Sequence, residues 1–213
     1  MQWSHWPDST VSRTSRSSSR TTPGTVRLFL AINLPLADRK AIHAAATPLR
    51  AVSDAISWVP ADRLHLTLKF LGEQRDDEHA RIAAALGGVV SRHRTFAVDM
   101  SGVGAFPNFR KPHIVWIGVT DDPKLELLHN DVEAACADLG HEVDGRAFRA
   151  HLTLGRVRRP IPAEEARALA AAARAVRYRG TMVVQSVDVM QSEMGKGGSR
   201  YTVRSALPLR GDA

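Results

Sequence analysis

The sequence predicts an α+β fold of two similar lobes sharing one cleft, and three observations carry that expectation. Stretches with strand alternation and stretches with helical spacing follow one another in mixed order. The tetrapeptide His-Leu-Thr-Leu is written twice, at His65–Leu68 and at His151–Leu154, once in each half of the chain. The 213 residues are 44% hydrophobic and 24% charged, which suffices for one substantial core but not for two large domains.

Residues 1–25 are expected to form a disordered tail, because Ser9 to Thr25 are almost all Ser, Thr and Arg and offer nothing to bury. A single folded domain is expected over 26–213. It opens with a strand, "VRLFLAINL" from Val26, punctuated by Pro35. A helical pattern runs from Leu36 to about Ser53, with Pro48 kinking or shortening it. A short strand near Trp58 precedes the first His-Leu-Thr-Leu strand. "DDEHARIAAALGGVV" reads as a helix with acids in its first turn, matching the positive end of the helix dipole. "TFAVDMSGVGAF" and "HIVWIGV" read as strands joined by a Pro- and Gly-punctuated loop, and "PKLELLHNDVEAACADLG" as a helix ending at Gly140. The second His-Leu-Thr-Leu opens another strand. The helix "AEEARALAAAARAV" then leads to two last strands, "TMVVQSVDVMQS" and "RYTVRSALPL".

Composition narrows the function classes. The net charge is +7 and 24 of the 29 cations are Arg, whose guanidinium fork suits phosphate, though charge alone singles out no partner. Cys136 is the only cysteine, which rules out an intrachain disulfide and a cysteine-rich zinc site and fits a reducing, cytoplasmic setting. No apolar run approaches the roughly 18 residues of a membrane span. "EMGKGGSRY", Glu193 to Tyr201, departs from the spacing of a phosphate-binding loop and joins two strands, so it reads as a hairpin at the cleft, with Lys196 and Arg200 as candidate RNA backbone contacts.

The repeated motif carries the chemistry. On a strand, His65 and Thr67 point to one face and Leu66 and Leu68 to the other, and His151 and Thr153 repeat the pattern. Each copy therefore anchors leucines in a core and presents an imidazole beside a hydroxyl. Two such pairs facing one cleft suit in-line displacement at a phosphodiester: one neutral imidazole takes a proton from the attacking oxygen, and the other, charged, gives one to the leaving oxygen. The hydroxyls can hydrogen-bond the non-bridging oxygens. No metal and no cofactor is required. A single His-x-Thr would ordinarily be a solvated surface pair; repetition at matched strand positions argues for the site.

These residues resemble the two-histidine (2H) phosphoesterases, and among them the LigT-like RNA 2′,3′-cyclic phosphodiesterases also called ThpR. "RLFLAINLP" is similar to the family's opening strand, "LHLTLKFLG" to its first signature, "GAFPNFRKPHIVWIGV" to its middle strand pair, "FRAHLTLGR" to its second signature and "SRYTVRSALPL" to its closing strand. The resemblance implies a bilobal LigT-like fold, two pseudo-symmetric lobes of antiparallel sheet with outer helices around a central cleft. It implies His65 as proton donor, His151 as proton acceptor, and Thr67 and Thr153 as phosphate-holding residues. The implied reaction opens a terminal 2′,3′-cyclic phosphate of RNA to a 2′-phosphomonoester, with 2′-5′ RNA ligation in some members. The implied partner is an RNA or oligonucleotide with a 2′,3′-cyclic end, and a monomer is expected. His113 departs from the Arg many relatives carry before the middle strand, Ala150 from the Pro before the second His, and the N-terminal extension has no counterpart.

Arg156, just past the second motif, is read onto the face of His151 and Thr153, with an ion pair as its alternative role. Phe109 and Arg110, with Phe106, are candidates to stack on or grip a terminal base. Trp58 and Trp116 read as packing groups. Two rival functions stay open: a non-catalytic RNA- or nucleotide-binding module, and a 2H esterase for another cyclic or 2′,5′-linked nucleotide.

Overall fold

The computed structural model describes residues 24–195 and 198–211. The tail expected over 1–25 lies outside them except for Gly24 and Thr25, as does Lys196. Strands and helices fall where periodicity placed them: β1 (Thr25–Asn33), α1 (Leu36–Ala45), α2 (Thr47–Arg50), β2 (Ile56–Trp58), β3 (His65–Arg75), α3 (Glu78–Val90), β4 (Phe96–Phe106), β5 (Ile114–Val119), α4 (Pro123–Asp138), β6 (His151–Val157) and α5 (Ala163–Ala175). Pro48 does interrupt the first helical pattern, which breaks at Ala46.

The end of the chain corrects one expectation. "TMVVQSVDVMQS" is not one strand but parts of two, β7 (Arg179–Val184) and β8 (Ser186–Gly195), before β9 (Gly198–Pro208). The chain leaves one half of the sheet at Gln185 and enters the other, since β7 pairs with β4 whereas β8 pairs with β1 and β9. No Gly or Pro marks the crossing, so alternation runs through it unbroken.

The sheet is antiparallel in the order β7-β4-β5-β6-β3-β1-β8-β9, with β2 added alongside β6. It divides into two four-stranded halves, β3-β1-β8-β9 and β7-β4-β5-β6, which meet through a single residue pair, Leu66 opposite Leu152. That pair is the centre of both tetrapeptides. Leu66 and Leu152 are fully buried, with Leu68 and Leu154 beside them in the main core. Helices cover the leucine side with apolar stripes: Ile82, Leu86 and Val90 of α3, Leu125, Leu128, Val132 and Cys136 of α4, and Ala166, Leu169 and Ala173 of α5. Asp122 caps α4, its carboxylate accepting from the backbone N–H of Lys124 at 2.8 Å and of Leu125 at 3.3 Å.

Both motifs end in the same irregularity. Thr67 faces Ala31 and Lys69 faces Leu30, so Leu68 is an extra residue; Thr153 faces Trp116 and Gly155 faces Val115, so Leu154 is one too. Each bulge reverses the alternation beyond it. Lys69 and Gly155 turn to the helix side, and Phe70 and Arg156 turn to the open face. Gly155 meets Ile56 and Trp58 there: an added Cβ would lie 2.7 Å from the Ile56 Cγ2 atom. Lys69 fills the equivalent place with a buried charge paired to the Glu133 carboxylate of α4, its Nζ also donating to the Glu142 carbonyl at 2.7 Å. The backbone N–H of Asp144 donates to the same carboxylate at 2.8 Å, and His129 stacks on Phe148 at 3.9 Å. These contacts hold the segment that leads into His151.

Candidate active site

Antiparallel pairing through Leu66 and Leu152 sends both leucines to the core, so their neighbours His65, Thr67, His151 and Thr153 share the opposite face. All four are half-buried. The two tetrapeptides thus form one site, across the line where the halves of the sheet join.

Each imidazole is held in the same way. Nδ1 of His65 lies 2.8 Å from the carbonyl of Arg63, and Nδ1 of His151 lies 2.6 Å from the carbonyl of Arg149, two residues upstream in both cases. A carbonyl only accepts, so Nδ1 carries the hydrogen and Nε2 is left as the atom that gains or loses a proton. The rings are also wedged by aromatics. Phe29 and Tyr201 each pack 5.1 Å from His65, and Phe106 lies edge-on to His151 at 5.0 Å with Trp116 behind it. An added Cβ on Gly104 would meet the Trp116 ring at 2.1 Å, so this glycine makes room for the indole.

Burial is the main force on both histidines, since it disfavours the charged ring. His65 is pushed down to about 4; its bond to the Arg63 carbonyl works in the other direction, and the charges of Arg39 and Arg156 add to the fall. His151 is also lowered, by burial against the pull of the Arg149 carbonyl and with the Arg156 charge adding. Arg156 therefore acts on both rings. It stands three residues past Thr153, where strict alternation would turn it to the core; the bulge at Leu154 returns it, exposed, to the cleft face.

The loop candidates separate. Arg110 is exposed beside the cleft strands, its backbone N–H donating to the Asn108 side chain at 2.9 Å. Phe109 is half-buried and packs against the main core. Phe106, not Phe109, reaches the site. Trp58 packs on the core and Trp116 beneath His151, both as packing groups. Sequence reasoning missed Phe29, Asn33, Arg39, Asp188 and Tyr201. For Asn33 and Asp188 the signal was strand position: Asn33 faces His65, and Ala31 faces both Thr67 and Asp188 in the sheet register. No helix among the described residues is long and apolar enough to cross a membrane.

Residues 37–196 match the family model described as the 2′-5′ RNA ligase superfamily. The chain is 39% identical over 137 residues to the RNA 2′,3′-cyclic phosphodiesterase of Archaeoglobus fulgidus, covering 64% of this chain and 76% of that one. It is 31% identical over 195 residues to the enzyme of the same name from Thermus thermophilus, covering 88% and 92%. In three dimensions it is similar to TT0787 of Thermus thermophilus, with a TM-score of 0.72 at 28% identity over 88% of this chain and all of that one. It is also similar to E. coli LigT complexed with 3′-AMP, with a TM-score of 0.68 at 27% identity, covering 87% and 98%.

Proposed function

The chain belongs to the 2′-5′ RNA ligase superfamily, the two-histidine phosphoesterases, and on that footing we propose that it is an RNA 2′,3′-cyclic phosphodiesterase acting through His65 and His151. The observation that carries the proposal is the matched locking of both imidazoles by upstream carbonyls, which leaves two Nε2 atoms as proton carriers on one face. A binding module has no use for that arrangement.

In the proposed step, Nε2 of His151 takes a proton from water as the water oxygen bonds to phosphorus. The bond from phosphorus to O3′ breaks in line, and Nε2–H of His65 protonates O3′. The product is a 2′-phosphomonoester with a free 3′-hydroxyl, and proton exchange with solvent resets both rings. Thr67 and Thr153 hydrogen-bond the non-bridging oxygens, and Arg156 balances their charge. Both motifs come from one chain, so a monomer suffices. Ligation would follow the same step with a 5′-hydroxyl in place of water: its oxygen bonds to phosphorus, His151 takes its proton, the bond to O3′ breaks with His65 protonating O3′, and a 2′,5′ linkage results.

The test is hydrolysis of a panel of 2′,3′-cyclic, 3′,5′-cyclic and 2′,5′-linked nucleotides, with chelator present, followed by identification of the products. A 2′-phosphomonoester from the 2′,3′-cyclic substrates alone supports the proposal. Turnover confined to another class shifts the assignment to that class, and binding without turnover leaves the binding module.

A further inference from the structure

Beside His65, on the side of the strands β1, β8 and β9, lies a cavity of about 180 Å³ bounded by Asn33, Asp188, Met190, Tyr201 and Arg39. It falls short of the ~300 Å³ at which a site encloses a drug-sized ligand, so it has room for a single ring and not a dinucleotide. Its polar groups have a definite sense. The side-chain N–H₂ of Asn33 donates to the Asp188 carboxylate at 2.7 Å and to the Met190 sulfur at 3.3 Å, which turns the amide oxygen of Asn33 away from both. Asp188, only 5% exposed, accepts from Asn33 and from the Ser186 hydroxyl at 2.9 Å, two neutral donors for a group with about four lone-pair sites. Two guanidinium groups line the cavity: Arg39, which donates to the carbonyls of Leu34 at 2.6 Å and Asp62 at 2.8 Å, and Arg63, which lies beside Gly198. At the Asn33–Asp188 end of the cavity the oxygens left over are acceptors, beside the Tyr201 ring and Met190.

We propose that this cavity is a nucleobase subsite that recognises the donor edge of the RNA-terminal base, selecting bases with an exocyclic amine over uracil. The inference rests on the proposed reaction in one respect: the leaving O3′ is protonated by His65, and the ribose carrying O3′ also carries the base, so the base lies on His65's side of the phosphate. An amine directed at Asp188 and the Asn33 oxygen completes their hydrogen bonds. A carbonyl oxygen in the same place opposes a buried carboxylate and leaves acceptors unpaired on both sides. Tyr201 and Met190 supply the apolar contact for the ring.

Cytidine and uridine 2′,3′-cyclic phosphates test this, because they have the same shape and differ on one edge: amine against oxygen at position 4, and acceptor nitrogen against N–H at position 3. The wild-type protein is expected to favour cytidine at least about tenfold in kcat/KM. Asp188→Asn, which offers an amide N–H₂ to the uracil oxygen, is expected to bring the ratio close to unity. Equal turnover of the two nucleotides by the wild-type protein, or an unchanged ratio in the variant, overturns the subsite and leaves the reaction standing. Absence of turnover on both overturns the reaction instead. The subsite is then judged by titration calorimetry of the wild-type protein with cytidine and uridine 2′-monophosphates, which needs no variant and no chemistry: equal affinities overturn it and tighter cytidine binding upholds it.

Discussion

The proton positions in the free protein make a testable demand on pH dependence. Burial and neighbouring guanidinium charge hold His65 at about 4 and His151 below its ordinary 6.5. The proposed step needs His65 charged and His151 neutral, and kcat/KM reports the free enzyme. Above both pKa values the rate follows the charged fraction of His65, which is about one in a thousand at pH 7 and falls about tenfold per pH unit. Below both, it follows neutral His151 and falls as pH drops. The kcat/KM optimum is therefore expected below 6.5. Once a phosphodiester anion lies against the rings it favours their charged forms, so the optimum in kcat is expected at higher pH. Arg156→Gln removes a positive charge that lowers both histidines, so both limbs of kcat/KM should move to higher pH while the peak falls, by about 10 to 10², from loss of the phosphate contact. The assay is steady-state hydrolysis of cytidine 2′,3′-cyclic phosphate from about pH 4 to 9 at constant ionic strength. An optimum in kcat/KM at or above about 7, or limbs that move down in the variant, would refute the reasoning.

Other outcomes follow from the same geometry. His65→Ala and His151→Ala should each cut turnover by about 10² to 10⁴ on a cyclic nucleotide, with the double variant little worse than the worse single. On an aryl phosphodiester, whose leaving oxygen needs no proton, His65→Ala should recover much of its rate and His151→Ala should not; the opposite pattern swaps their roles. Lys69→Met leaves the buried Glu133 carboxylate without its cation and should cost about 3 to 5 kcal/mol in urea unfolding, much of it restored by adding Glu133→Gln. Gly104→Ala places a methyl where the Trp116 ring stands, so it should cost about 1 to 3 kcal/mol and lower kcat by shifting the indole under Phe106 and His151.

The elements most legible in the sequence are those whose burial is periodic. Alternation located β1, β3, β5 and β6, and helical spacing located α3, α4 and α5, because each buries one face against the same core. The crossing at Gln185 was not legible, since an apolar pattern continues on both sides of it while the partners change. The bulges were not legible for a related reason. Register is a relation between two strands, so neither "HLTLKF" nor "HLTLGR" alone says that the fourth residue is supernumerary. That is why Arg156 reaches the cleft by a route alternation does not provide, and why Lys69 goes to the core. The histidines were legible from repetition, but the carbonyls of Arg63 and Arg149 that choose their tautomer were not, because backbone groups have no signature in a sequence. Asn33 and Asp188 come from strands far apart in the chain and meet only through the sheet.

Pseudo-symmetry supplies two equal proton carriers, and the reaction needs two unequal ones. The inequality arises in the surroundings. The repeated strand, the bulge and the upstream carbonyl are the same for His65 and His151, but His65 feels a second guanidinium, Arg39, in addition to Arg156. It is also packed between Phe29 and Tyr201 and is driven further below the ordinary imidazole value than His151. When two titratable groups share a site, the one held at lower pKa is the stronger acid once protonated and the other is the stronger base. Protonating an alkoxide leaving group calls for the first, and deprotonating water calls for the second. That ordering agrees with the proposed roles of His65 as acid and His151 as base. It locates the difference outside the motifs, in Arg39 of α1 and the aromatic residues of β1 and β9. Arg39→Met should then raise the pKa of His65 toward that of His151, moving one limb of the kcat/KM profile up in pH and leaving the other in place; movement of both limbs together would show that the two rings are not distinguished in this way.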